Sequence, residues 1–156
     1  MVSGREHGSG PPEGSAEAVL AARTVDAMRK HDRFSAWLGV ELVSIAPRAC
    51  TVRATVREEM LNGFGVCHGG VTFALADSAL AFASNTHGRV TMSVENGISY
   101  ITSVALGDVL TAAAVEEGSG GPLTFYRVTV SNQHNQSVAL FRGTVYRTKR
   151  ELLGET

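Results

Sequence analysis

Residues 62–85 read NGFGVCHGGVTFALADSALAFASN. A polar, glycine-rich loop opens into a long run that is apolar on nearly every side. A helix of that composition has to be buried on most of its faces, so the rest of the chain must wrap it. Inside the run lies one ionisable side chain, Asp77. A carboxylate in such a place is costly unless it is hydrogen-bonded or does chemistry.

The flanking sequence supplies the wrapper. Residues 1–15 are rich in Gly, Ser, Pro and charge and are expected to be disordered. Ser15 is a plausible cap for an amphipathic helix over 16–31, and Phe34, Trp37 and Leu38 add a short apolar turn ending at Gly39. VELVSI and ACTVRATV, separated by Pro47 and Arg48, predict a hairpin. His87 and Gly88 end the long helix. Strands are then expected over 90–100, 109–117, 123–132 and 137–147, with Gly143 marking a bulge or bend and a frayed tail over 149–156. One long apolar helix among six such strands, consecutive ones joined by short turns, predicts an α+β domain: an antiparallel sheet curled around the helix.

The chain's 156 residues fit one domain, and 44% hydrophobic residues suffice for a core. The net charge of −1 offers no general attraction for nucleic acid or an anionic membrane. No run of eighteen apolar residues is present, and the N-terminal stretch lacks the apolar centre of a signal peptide. Cys50 and Cys67 read as free thiols, and the expected compartment is the cytoplasm. Cys67, His68, His87 and His134 lack the spacing of a zinc site, and neither a metal nor another cofactor is expected.

Gly69 and Gly70 stand where the helix begins. Backbone N–H groups there have no partner within the helix, and the helix dipole adds partial positive charge. The turn either serves only to redirect the chain or holds a carbonyl oxygen that is gaining negative charge, as an oxyanion hole does. Asp77 is either an interior Asp bonded to a neighbouring hydroxyl such as Ser78, or a general base or nucleophile. Eight residues of helix span about 12 Å, so Asp77 is too far from Gly69 of its own chain to share a substrate. If both groups act together, they come from two copies of the chain in a two-fold dimer. Ala74, Ala76, Ala79, Ala81 and Ala83 would let two such helices approach closely. Asn62 and His68 are polar loop residues able to orient a substrate or support the loop. Cys67 and His68, being adjacent, do not form a catalytic dyad.

The pattern N-G-x-G-x-C-H-G-G-x-x-F-x-L-A-D over 62–77, with MSVENGISYITSVALGD over 92–108 and VALFRGTVYR over 138–147, resembles the hotdog-fold acyl-CoA thioesterases. Within them the PaaI-like phenylacetyl-CoA branch is the nearest. The resemblance covers about 34–147. It implies a hotdog domain over 16–148, with a long central helix wrapped by a curved antiparallel sheet and paired into homodimers or homotetramers. It also implies hydrolysis of acyl-CoA, aryl-acetyl or medium-chain, without metal. By position, Asp77 matches the catalytic carboxylate and the Gly69 N–H the group that polarises the thioester carbonyl. Gly70 lies beside it among the CoA-thioester-holding groups. Asn62 and His68 match loop residues that shape the hole, and Ser93 a hydroxyl that places the attacking water.

Two departures stand out. Ser103 lies where many members carry a proline before Gly107-Asp108. The turn before Thr124, GSGGPL, lacks the usual Lys or Arg. Arg142, Arg147 and Lys149 are the candidate cations for CoA phosphates, Arg142 first among them. The alternatives are a non-enzymatic acyl-CoA-binding hotdog module and an enoyl-thioester hydratase. A pure binding module has no need of Asp77, and the Asp–His pairing of the hydratases has no counterpart here.

Overall fold

The computed structural model describes residues 14–154, so nearly all of the stretch expected to be disordered, and the last two residues, lie outside it. Helix α1 (Ala16–Arg29) starts as expected at Ser15, whose hydroxyl accepts from the Ala18 N–H at 3.2 Å. Helix α2 (Arg33–Leu38) is capped by Asp32 and stopped by Gly39, which adopts a left-handed φ of 81°. Strands β1 (Glu41–Ala46) and β2 (Ala49–Thr55) form the hairpin around Pro47 and Arg48. A single 3₁₀ turn (Glu58–Met60), not anticipated from sequence, leads into the loop before the long helix α3 (Gly69–Asn85). Four strands follow: β3 (Arg89–Tyr100), β4 (Val109–Gly120), β5 (Leu123–Ser131) and β6 (Ser137–Glu151).

The six strands form one antiparallel sheet in the order β1-β2-β4-β5-β6-β3. Chain neighbours β3 and β4 are therefore not sheet neighbours, contrary to the picture of successive short turns. Strand β4 already has β2 on one side and β5 on the other, so β3 finds its open edge on β6. Residues 101–108 carry the chain across. On the way the Val104 carbonyl accepts from the Cys67 N–H at 2.8 Å, and the Val56 N–H donates to Asp108 O at 2.9 Å. The crossing thereby staples the loop that precedes α3.

The α3 face toward the sheet is fully buried at Leu75, Ala76, Ala79, Leu80, Phe82 and Ala83. It meets the alternate, inward residues of β2, β4, β5 and β6, and Phe73 packs edge-on against Phe141 with ring centroids 5.2 Å apart. Gly143 marks no bulge, since the β6 register runs through it unbroken on both sides. Its role is close approach: a Cβ there would lie 2.5 Å from Leu80 Cδ2 and 2.8 Å from Asn96 Oδ1. The irregularity nearest to Gly143 lies across the ladder in β3, a bulge between Ser93 and Glu95. Strand β6 also outruns its expected end: Glu151 pairs with Arg89, and the Leu152 N–H donates to Gly88 O at 2.8 Å.

Candidate active site

The loop before α3 is organised by Asn62. Its Oδ1 accepts from the N–H groups of Phe64 (2.9 Å) and Val66 (3.4 Å), while its own N–H donates to Val66 O at 2.8 Å. A short side-chain amide can replace backbone partners in a tight turn, and here it closes the loop on itself. Phe64 at the tip is 93% exposed.

At the helix start, almost every backbone polar group is tied. The His68 N–H donates to Met60 O (2.8 Å), and the His68 carbonyl accepts from Val71 N–H (2.9 Å). The Gly70 N–H donates to His68 Nδ1 at 2.9 Å, so His68 is the N-cap of α3. An Nδ1 that accepts carries no proton, which leaves Nε2 as the ring's donor. The Gly69 carbonyl accepts from Tyr100 Oη at 2.8 Å. Among the described residues the Gly69 N–H alone of this group has no partner. The free donor at the helix start is thus Gly69, while Gly70 contributes a missing side chain. A cleft of about 290 Å³ opens beside it, lined by Cys67, Gly69, Thr72, Tyr100, Thr102 and Ser103.

Asp77 lies on a partly exposed stripe of α3 that also includes Gly70, Ala74 and Ala81. Spacings of three, four and seven bring these residues to one helix face. The carboxylate does not bond to Ser78, whose hydroxyl is 3.1 Å from that of Ser35. Its Oδ1 accepts instead from Asn96 Nδ2 at 2.8 Å. Burial raises the Asp77 pKa above its ordinary value, and the hydrogen bond from Asn96, with the nearby Ser93 hydroxyl, partly offsets this. Ser93 and Asn96 are three apart and would point to opposite faces of a regular strand. The bulge at Val94 corrects this: Ser93 pairs with Val145 and Asn96 with Gly143, both on the inward face of β6.

The structure thus brings Asp77 and Ser93 together, and at the helix start it gathers Asn62, His68, Gly69 and Gly70. It does not bring the two groups to one another, because Gly69 and Asp77 remain eight residues apart on one helix, about 12 Å. Arg142 joins neither. It is exposed, on the strand face opposite buried Phe141 and Gly143. Arg147 lines a separate cavity of about 360 Å³ near the far end of α3 with Glu17, Arg48, His87 and Glu116, and Lys149 is exposed.

Sequence reasoning missed Asn96 and Tyr100. For Asn96 the available signal was an Asn-Gly pair in the middle of a strand, where such residues are unfavourable. For Tyr100 no local signal exists, since its partner lies thirty-one positions away.

Comparison with known proteins extends the picture. The family model of the thioesterase superfamily matches residues 64–139. The chain is 35% identical to acyl-coenzyme A thioesterase PaaI of Escherichia coli over 135 residues, covering 86% of this chain and 96% of that protein. The solved structure of the E. coli PaaI protein superposes with a TM-score of 0.85 at 33% identity, over 87% of this chain and 99% of that one. Human acyl-coenzyme A thioesterase 13 is 34% identical over 114 residues, covering 70% of this chain and 80% of its own. A Streptococcus mutans protein solved with bound acetyl-CoA matches at 29% identity and a TM-score of 0.69, over 72% of this chain and 91% of that one.

Proposed function

The chain belongs to the thioesterase superfamily, in the PaaI-like branch of its hotdog-fold enzymes, and on that premise we propose that it hydrolyses aryl-acetyl or medium-chain acyl-CoA to the free acid and CoA. The observation that carries the reading is Asp77: a half-buried carboxylate held by Asn96, on a helix whose first residue offers a free N–H. In the proposed reaction the Gly69 N–H of the facing subunit binds the thioester oxygen as it gains negative charge. Asp77 either takes a proton from the attacking water, which Ser93 helps to place, or attacks the carbonyl carbon itself. The C–S bond then breaks and CoA leaves as the thiolate, which takes up the proton released from water; where Asp77 is the nucleophile, water next hydrolyses the acyl-aspartyl anhydride to the free acid. Preorganised donors of this kind stabilise charge that appears only in the transition state.

Two features support a site shared between two chains. The stripe of Gly70, Ala74, Asp77 and Ala81 is the helix face that the sheet leaves uncovered. Strand β3 ends the sheet with an open edge, carrying exposed Met92 and Val94, and a long unpaired edge is a template for pairing with another chain. Asn62 and His68 hold the loop that aims Gly69. In the oligomer, the exposed guanidinium of Arg142 is proposed to meet the phosphates of CoA. The proposed compartment is the cytoplasm; among the described residues no helix is long and apolar enough to cross a membrane.

A panel of acyl-CoA substrates scored by thiol release tests the reading. Turnover of phenylacetyl-CoA or medium-chain acyl-CoA, with release of CoA, is the expected result. No hydrolysis of any member of the panel would remove it.

A further inference from the structure

We propose that Tyr100 is a positioning residue that sets the direction of the Gly69 N–H. The inference rests on the reading above, in which that N–H is the oxyanion donor. Tyr100 closes β3, on the sheet's outermost strand, and its hydroxyl donates to the Gly69 carbonyl at 2.8 Å. That carbonyl shares one peptide plane with the Gly70 N–H, which donates to His68 Nδ1 at 2.9 Å. The 69–70 peptide is therefore gripped at both ends, by a side chain from β3 and by the helix cap. On the other side, His68 is held through its N–H and its carbonyl. Rotation about the two soft torsions of Gly69 is opposed from both directions. What those grips leave free is the one N–H between them.

Glycine has the greatest torsional freedom of any residue, so an oxyanion donor placed on it needs outside restraint. No side chain can provide that restraint at position 69. A Cβ there would lie 2.9 Å from Tyr100 Oη and 3.0 Å from Cζ, so the ring occupies the space a larger residue would need. The two positions act on each other: a larger residue at 69 would push the Tyr100 hydroxyl off the carbonyl, and the glycine relies on that hydroxyl for its orientation. Burial raises the Tyr100 pKa further above its ordinary value, so the phenol stays a donor across the neutral range.

The test is Tyr100→Phe, which keeps the ring and deletes one hydroxyl from a half-exposed side chain. Losing an oxyanion donor outright costs roughly 10²–10³ in kcat, and misdirecting one is expected to cost about tenfold. KM should stay within about twofold, because the interaction is made in the transition state. The Kd of a non-hydrolysable thioether analogue of acyl-CoA should likewise be unchanged. A wild-type kcat, or a loss of kcat matched by weaker analogue binding, would overturn the proposal. Asp77→Asn is measured in parallel. If that variant loses turnover while Tyr100→Phe does not, only the role of Tyr100 fails; if Asp77→Asn keeps wild-type turnover, the reading of the site beneath it fails.

Discussion

The amide of Asn96 donates to the Asp77 carboxylate at 2.8 Å across nineteen positions of sequence, joining the middle of the sheet's edge strand to the middle of the central helix. The amide's other end, Oδ1, is buried without a hydrogen-bond partner, in the space left by the absent side chain of Gly143. A half-buried carboxylate, one donor aimed at it and a glycine that makes room for the donor form the Asp77 half of the proposed site.

Replacing Asp77 by Asn is expected to lower kcat by roughly 10²–10⁴, the range for a positioned acid–base group. The same change should raise thermal stability at neutral pH. Burial lifts the folded pKa of Asp77 above its unfolded value, so the folded state holds this proton more tightly. Stability is then lost as pH rises from the unfolded through the folded pKa, and a neutral isostere is spared that loss. Steady-state kinetics and a thermal melt at two pH values read both effects. A variant that is fast, or less stable only at high pH, would contradict them.

Asn96→Ala removes a hydrogen bond that lowers the Asp77 pKa. If Asp77 acts as the ionised carboxylate, activity falls as pH drops through its pKa. The acid limb of the kcat/KM profile should therefore move to higher pH in the variant. A limb that stays in place or moves down would show that Asn96 does not tune the carboxylate.

Gly143→Ala is expected to destabilise the protein by about 1–3 kcal/mol, the usual cost of overpacking a core. The added methyl would meet Leu80, which is fully buried and cannot swing away, and the Asn96 amide. Urea denaturation measures the loss. The kinetics should worsen too, because Asn96 has to move.

Arg48 is the second residue of the β1–β2 turn and has φ of 64°, where L-residues other than glycine are strained. Its N–H and carbonyl, bonded to Thr86 Oγ1 and to the Glu116 N–H, would survive its replacement by glycine. Relief of about 1–2 kcal/mol exceeds the roughly 0.4–1 kcal/mol that glycine gives to the unfolded chain. Arg48→Gly should be the more stable protein in chemical denaturation by about the difference.

The proposed two-chain site makes a direct demand on mixed oligomers. Gly69→Pro deletes the free N–H at the first helical position, where proline is tolerated, and His68 is already extended with ψ 132°. Tyr100 Oη, at the end of a half-exposed side chain, can shift to admit the ring. Gly69→Pro and Asp77→Asn subunits should each be inactive, yet regain activity when refolded together, toward about a quarter of wild type for random two-fold pairing. No regain, together with a monomeric species in sedimentation, would remove the two-chain site.

The apolar run over 62–85 was enough to place the central helix and the loop before it, because a helix without a polar face can only sit inside a wrapper. The alternation of TFYRVTV and VALFRGTVY was enough to place β5 and β6 in the sheet. Even the separation of Gly69 and Asp77 followed from the helical rise alone. Local pattern determines local conformation, and these are local facts. Three features were decided only when the chain closed on itself. Strand β3 pairs with β6 because β4 has no free edge. Val94 is bulged, which turns Ser93 and Asn96 to the same face as Asp77. Tyr100 reaches the start of a helix thirty-one residues behind it. Each depends on which strand edge is open and where two distant elements touch, and neither residue type nor spacing along one segment encodes that.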